Sequence, residues 1–517
     1  MLDSLRHSLR FLGVARVLAR HDALFWIDTL SQAPRGLRPL IRLATRFARR
    51  RRGLPDAPGR RLAEALRSLG PAYIKLGQML ATRPDLIGAA LAEELRDLQD
   101  SLPPFDPAQA RARIAAELGQ PLHDIFADFR DTAVAAASVA QVHKAKTPDG
   151  RIVAVKILRP DIEADFRRDL AAFRWAAMFV ERFLPQARRL RPHAVVETIA
   201  DSVAHELDLR LEAAAAAELA ENMAGEPGYR IPAVDWQRTG RTVLTLEWVD
   251  GIPLSDVEAL RDAGFDRGKL AATVVRVFLL QAMRDGVFHA DLHQGNLFVD
   301  PDGTLVALDF GIVGRLDRAS RRYLAEILYG FQERDYARVA RWHFSAGYVP
   351  PGHSESRFAE AMRAIAEPIF DRPARDISAG RLLGQLFATT EHFGMQTQPQ
   401  LILLQRSMVM VEGMALHLDT EANMWALSRP VIAEWIRGEL SPELVLADSL
   451  HEIRETVTRL PAMLARADRL LQRMEQDRAQ EHRPADSARP NEMRPARGAA
   501  LLALALAAAA LAVALVN

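Results

Sequence analysis

The sequence predicts an α+β fold in two lobes, a small lobe that carries strands and a larger one that is mostly helical. Three observations carry this. Between Ala133 and Leu158 the apolar pattern has the period of strands, and Asp149-Gly150 sits between two of the runs; Asp-Gly between apolar runs is a strong hairpin signal. From Ala319 to about Met474 the pattern is helical. Short apolar runs at 297–299 and 305–308 bracket a Pro301-Asp302-Gly303 turn, which makes a compact strand–turn–strand platform.

The elements follow in order. Residues 1–60 read as a basic helical segment ending in Arg46, Arg49, Arg50, Arg51 and Arg52, suited either to an anionic membrane face or to solvent. No uninterrupted apolar stretch follows Arg6, Arg10, Arg16 and Arg20, so a secretory signal peptide is not expected. Residues 61–130 form a helical extension broken at Gly70-Pro71 and Pro84 and closed at Pro103-Pro104. The strand lobe spans 131–252. Its strands are Ala133–Ala137, Val139–Lys146 and Ile152–Leu158, then a helix from Asp161 to about Phe183 and another from about Pro192 to Met223. Thr242–Val249 is its last strand, closed by Asp250-Gly251. The helical lobe spans 253–475, opening with a helix over 267–285, with Pro368 and Pro430 as expected breakers. Residues 476–498 are polar, charged and proline-bearing, and read as a flexible tether.

Ala499–Val516 is an unbroken apolar run of 18 residues, ten of them alanine. A helix of that length spans about 27 Å, close to the roughly 30 Å hydrocarbon core. It is predicted to cross a membrane once. Arg494 and Arg497 precede it, which places the body of the chain in the cytoplasm by the positive-inside rule.

Composition narrows the function. The 517 residues are 49 % apolar and 26 % charged, enough for a large buried core. A net charge of +1 supplies no global field for nucleic acid, and no nucleic-acid partner is expected. The absence of cysteine removes disulfides, zinc–thiolate sites and thiol catalysis, and fits a reducing compartment.

The residues that carry chemistry are those of phosphoryl transfer. HADLHQGN at 289–296 and LDFG at 308–311 supply Asp291, Asn296 and Asp309. Transfer from a nucleotide needs a carboxylate that positions or deprotonates the nucleophile, and hard oxygen ligands for the magnesium that bridges the phosphates. Asp291 fits the first role; Asn296 and Asp309 fit the second. Gly311 lets the chain turn sharply after Asp309. VAVK at 153–156 puts Lys156 on the strand face opposite Val155, where a lysine can reach phosphates if a carboxylate holds it. Glu206 and Glu212 are the candidates, about 1.7 turns apart and so not fully on one face. Ala135, Ala136, Ala137 and Ser138 stand where a kinase has its glycine-rich phosphate loop. Alanine does not freely take positive φ, so this loop should be stiffer. Lys75 and Gln78 share one side of a helix, and Gly77 between them costs about 1 kcal/mol relative to alanine unless something approaches closely there.

This set resembles the UbiB family of atypical kinase-like proteins, linked to ubiquinone (coenzyme Q) biosynthesis. The motifs appear in family order over roughly residues 60–420: Gly70-Pro71 through Lys75, Gly77 and Gln78, the alanine-rich loop, Gln141-Val142-His143, Glu206 and Asp208, HADLHQGN and LDFG. Many relatives carry proline where this chain has Ala133, and some end in two membrane helices.

The resemblance implies a bilobal protein-kinase-like fold. Lys75 and Gln78 would belong to an extension folded over the active site, with Lys75 paired to Glu206 or Asp208. Lys156 would pair with Glu212, or with Glu206 as second choice. Ala135–Ser138, Lys156, Glu247 and Val249 would bind ATP. Asp291 would hold the base position, and Asn296 and Asp309 would hold Mg²⁺ or Mn²⁺.

The expected function is that of a membrane-anchored kinase or ATPase at the bacterial inner membrane. It would act on or around lipid-like quinone precursors, with other ubiquinone-biosynthesis enzymes as partners. A nucleotide-switched scaffold without catalysis is the alternative. A conventional protein kinase is another, against which the Lys75–Gln78 insert argues.

Overall fold

A computed structural model describes residues 57–81, 87–96, 98, 103–183, 192–370 and 399–439, with short pieces within 10–23, at 55 and around 389–395. The described residues fall into two compact units. One holds the chain up to Ala217 together with Pro232–Trp248; the other holds Glu218–Ile231 and the chain from Val249 onward.

The first unit begins with three helices, α1 (Pro58–Leu69), α2 (Pro71–Ala81) and α3 (Ala89–Arg96). Gly70 takes φ +111°, which side chains with a Cβ rarely adopt, and stops α1 so that Pro71 can open α2. The three pack on one another, and Gly77 shows why alanine is not used: a Cβ there would lie 2.5 Å from Leu98 and 2.6 Å from Leu66.

α4 (Pro107–Leu118) and α5 (Leu122–Ile125) lead into strands β1 (Asp128–Phe129), β2 (Ala135–Ala136), β3 (Ala140–Lys146) and β4 (Ile152–Leu158). Helices α6 (Ile162–Phe183), α7 (Pro192–Glu206) and α8 (Leu209–Asn222) follow, then β5 (Tyr229–Arg230), which belongs to the second unit, and β6 (Val243–Glu247), which belongs to the first. The sheet is antiparallel in the order β1-β3-β4-β6, with β2 also on β3. On β4, Val153, Val155 and Ile157 are buried against Ile114, Phe126 and Val243. Lys156 therefore stands on the other face, as strand alternation requires.

The single helix expected from Pro192 to Met223 is two helices. Asp208 ends the first and starts the second, because its carboxylate accepts from the Arg210 amide at 3.2 Å. Aspartate competes for backbone donors in this way at helix starts. The break decides where Glu206 and Glu212 point.

The second unit contains β5 and then β7 (Ile252–Pro253), α9 (Val257–Asp262) and α10 (Arg267–Leu279), which continues as a π-helical turn over Leu280–Asp285. Strands β8 (Val287–His289), β9 (Leu297–Val299), β10 (Leu305–Ala307) and β11 (Val313–Arg315) come next. They form two small sheets, β5-β10-β9-β7 and β11-β8. Helices α11 (Arg318–Gln332), α12 (Tyr336–Ser345), α13 (Glu355–Phe370), α14 (Pro399–Leu418) and α15 (Met424–Glu439) complete it.

Neither Pro368 nor Pro430 breaks its helix; they lie inside α13 and α15. A mid-helix proline costs about 3 kcal/mol. In α15 the next two residues, Val431 and Ile432, are buried, each contributing roughly 1.5–3 kcal/mol, so packing overrides the local preference.

The arginine cluster at 46–52, the tether 476–498 and the expected membrane helix 499–516 lie outside the described residues. Among the described residues no helix is long and apolar enough to cross a membrane.

Candidate active site

In the first unit, Lys156 Nζ donates to both oxygens of Glu212, at 2.7 and 2.9 Å. The lysine side chain is 19 % exposed and the glutamate 8 %. The pair is thus largely withdrawn from water, where a bare ammonium would be costly and a paired one is tolerated. Lys75, on α2, forms an ion pair with Glu206 at the end of α7. Each glutamate holds a different lysine, and the helix break lies between them. Asp208 is taken by Arg210, at 2.9 and 2.6 Å, and those hydrogen bonds hold its carboxyl below the usual carboxylate range. Gln78 Nε2 donates to the Leu98 carbonyl at 3.4 Å, within the helical layer.

The alanine loop is braced. Ala137 N donates to the Ala140 carbonyl at 2.7 Å. Arg159 lays its guanidinium on the Ala137 carbonyl through Nε (3.0 Å) and Nη2 (2.8 Å), and Nη2 also reaches the Pro103 carbonyl at 2.8 Å. Gln141 Oε1 accepts from Phe105 N at 2.8 Å. Its amide nitrogen lies 2.7 Å from His143 Nε2, and His143 Nδ1 donates to the Arg130 carbonyl at 2.8 Å. His143 is fully buried, and burial pushes its pKa below the ordinary value. The imidazole is therefore neutral, with its proton on Nδ1. Glu247, at the end of β6, donates its backbone N–H to the Ala233 carbonyl at 2.9 Å, and its Oε2 accepts from Ala233 N at 3.3 Å. Trp248 belongs to the first unit, and Val249 opens the longer segment of the second.

In the second unit the loop 289–296 is hung from buried polar groups. The π turn carries Gln281, fully buried, whose Oε1 accepts from His289 N at 3.1 Å and whose Nε2 donates to Tyr229 Oη at 3.2 Å. His289 is fully buried too, and burial lowers its pKa. Its Nδ1 accepts from Asp291 N (3.2 Å), so its Nε2 carries the proton and donates to the Leu308 carbonyl (3.2 Å). One neutral ring thus ties the residue before Asp309 to the backbone of Asp291. The Phe310 ring packs on it at 5.4 Å.

Asn296 and Asp309 come together through the β9–β10 pairing, since Leu308 N donates to the Asn296 carbonyl at 2.8 Å. Asn296 Nδ2 donates to the Asp291 carbonyl at 3.2 Å, which turns its amide oxygen away from that contact. Asp309 adopts φ +61°, a left-handed conformation that aspartate tolerates better than most residues, and its Oδ1 accepts from Gly311 N at 3.3 Å. Asp291 Oδ1 receives a 2.7 Å hydrogen bond from Arg406 on α14.

Among the described residues no three His, Asp or Glu side chains gather into a ready metal cage. An amide oxygen and a carboxylate, on residues that the β9–β10 pairing links, are the donor types a hard divalent ion takes beside phosphates and water, which is how Mg²⁺ is usually held. The sequence alone does not mark Gln281, His289, Arg159 or Arg406 as site residues. His289 lies inside the motif, but its role shows only once the strands pair.

A strand-bearing unit with a lysine–glutamate pair on its sheet, and a helical unit with an Asp–Asn–Asp loop, define a kinase-like protein. Residues 97–343 match the ABC1 atypical kinase-like domain, and residues 362–423 match the UbiB helical domain. A "Probable protein kinase UbiB" of Marinobacter nauticus is 42 % identical over 78 % of this chain and 75 % of its own length. Its counterpart in Pseudomonas paraeruginosa is 40 % identical over 91 % of this chain and 88 % of its own. The chain belongs to the UbiB family. A solved structure described as the complex of Rv3197 with erythromycin, from Mycobacterium tuberculosis, shares the fold. It superposes with a TM-score of 0.51 at 24 % identity, over 72 % of this chain and 90 % of that one.

Proposed function

We propose that this chain is an atypical kinase or ATPase that binds Mg–ATP and serves ubiquinone biosynthesis at the bacterial inner membrane. The observation that carries the reading is the Lys156–Glu212 pair, a lysine on a central strand of a kinase-like domain held by a withdrawn carboxylate. In phosphoryl transfer such a lysine grips the α- and β-phosphates.

Asn296 and Asp309 would hold the magnesium, which would neutralise charge on the nucleotide's phosphates. Asp291 would orient the acceptor hydroxyl or water. The acceptor oxygen bonds to the terminal phosphorus and the bond to the bridging oxygen breaks. ADP departs with that electron pair, and the acceptor's proton passes to Asp291 and then to water. Ala135–Ser138, Glu247 and Val249 would line the nucleotide. The family membership supports lipid quinone precursors and other ubiquinone-biosynthesis enzymes as partners, with 499–516 as the anchor.

The test is calorimetric titration of the detergent-solubilised chain with ATP, with and without Mg²⁺, beside Asp309→Asn. Magnesium should be required for tight binding in the wild type. Losing even an outer-shell partner of a metal costs roughly 10–100-fold, so the ligand change should cost at least that in magnesium-dependent turnover. Wild-type turnover in the variant refutes the metal role. Binding without turnover, in detergent and in liposomes alike, would replace the enzyme by a nucleotide-switched scaffold.

A further inference from the structure

The loop HADLHQGN brings Asp291 but no lysine or arginine. His293 does not stand in for one, because its Nδ1 accepts from Gly295 N at 3.1 Å and so caps its own turn. The cation at Asp291 comes instead from Arg406, 115 residues further on, whose Nη2 donates to Asp291 Oδ1 at 2.7 Å. Arg406 lies in the stretch that matches the UbiB helical domain, beyond the part that matches the kinase-like domain.

The rest of α14 fixes where that guanidinium stands. Leu404, Val411, Met414 and Ala415 are buried, and the helix packs on α10. Ser407, next to Arg406, is fully buried with its hydroxyl donating to the Leu403 carbonyl at 2.9 Å. The backbone of Arg406 therefore sits on a packed helix while its side chain stays 42 % exposed, beside a carboxylate that is 29 % exposed.

We propose that Arg406 is a positioning residue for Asp291, and that the helical domain completes the active site by supplying it. The inference rests on the role given to Asp291 above. A carboxylate on a loop has two equivalent oxygens and a nearly free terminal torsion. Clamping Oδ1 leaves Oδ2 to meet the acceptor in one orientation, the geometric precision that productive attack needs. Arg406 acts through Asp291 and does not touch the nucleotide.

The experiment is a double-mutant cycle on the full-length chain in detergent, with Mg–ATP turnover and Mg–ATP affinity measured separately. Arg406→Gln should lower kcat roughly tenfold to a hundredfold, the scale of a displaced catalytic group, with KM and affinity for Mg–ATP within about twofold of wild type. Arg406→Lys should recover part of the loss, or carry the test alone should the glutamine variant misfold. In an Asp291→Asn background, Arg406→Gln should do no further harm.

A multiplied loss in the double variant overturns the inference, since Arg406 would then act on something other than Asp291. An unchanged kcat in Arg406→Gln, or a loss confined to KM, overturns it as well. Failure of the wild-type chain to bind Mg–ATP would remove the proposed function itself, and this inference with it.

Discussion

Glu212→Gln probes the reading at its centre, because it removes one charge and keeps the shape of the side chain. Lys156 then loses the carboxylate charge that stood 2.7 Å from its ammonium. Removing one partner of a fully buried pair costs about 3–5 kcal/mol. Lys156 retains 19 % exposure, and the glutamine carbonyl still accepts one hydrogen bond, so the expected loss is about 2 kcal/mol. At about 2–4 °C per kcal/mol for domains of 150–250 residues, the melting temperature should fall by about 4–8 °C. A lysine no longer held in place should also weaken Mg–ATP binding, by about tenfold if 1.4 kcal/mol is lost.

The assay is thermal unfolding followed by fluorescence, with and without Mg–ATP. The double variant Lys156→Met, Glu212→Leu adds a sign test. It removes both charges, so it should melt above Glu212→Gln while binding no nucleotide. A Glu212→Gln protein that melts with wild type and binds Mg–ATP as tightly would mean that the pair is an ordinary ion pair, and the assignment of Lys156 would fall.

Other outcomes follow from the same geometry. Gly251→Ala would place a Cβ 2.7 Å from the Val299 carbonyl oxygen, where β7 meets β9; overpacking of this kind costs about 1–3 kcal/mol, read as a lowered melting temperature, and an unshifted melt would show that the backbone yields there. His143 folds as the neutral form, so below its unfolded pKa of about 6.5 the unfolded chain takes up a proton that the folded chain resists, and stability falls with pH. His143→Gln should therefore be less stable than wild type at pH 8 yet lose less on acidification to pH 5, and parallel melting curves across that range would exclude the imidazole. Deleting residues 499–517 should move the protein from the membrane to the soluble fraction, and a full-length chain already soluble would end the anchor proposal.

What was legible from sequence was whatever local pattern controls. Alternation along VAVK placed Lys156 on the face away from the core, and the Asp149-Gly150 hairpin set β3 against β4. The cost of glycine at position 77 left a close approach open, and Leu66 and Leu98 supply one. The misreadings have one physical source, which is that tertiary contacts outweigh local preference. Pro430 continues through α15 because its neighbours are buried. Residues 192–223 look like one helix until Asp208 captures an amide and divides it.

That division matters beyond the helix count. Two carboxylates six residues apart already face different sides of a helix, and across the break Glu206 serves Lys75 while Glu212 serves Lys156. The two pairs are joined through a single turn of backbone at Leu207-Asp208. A change that straightened this turn, such as Asp208→Ala, would redirect one lysine or the other even though it touches neither. No local signal could have revealed Arg406, since its partner lies 115 residues away. Helical periodicity marks the buried stripe of α14, and it is silent about the exposed side chain that reaches Asp291.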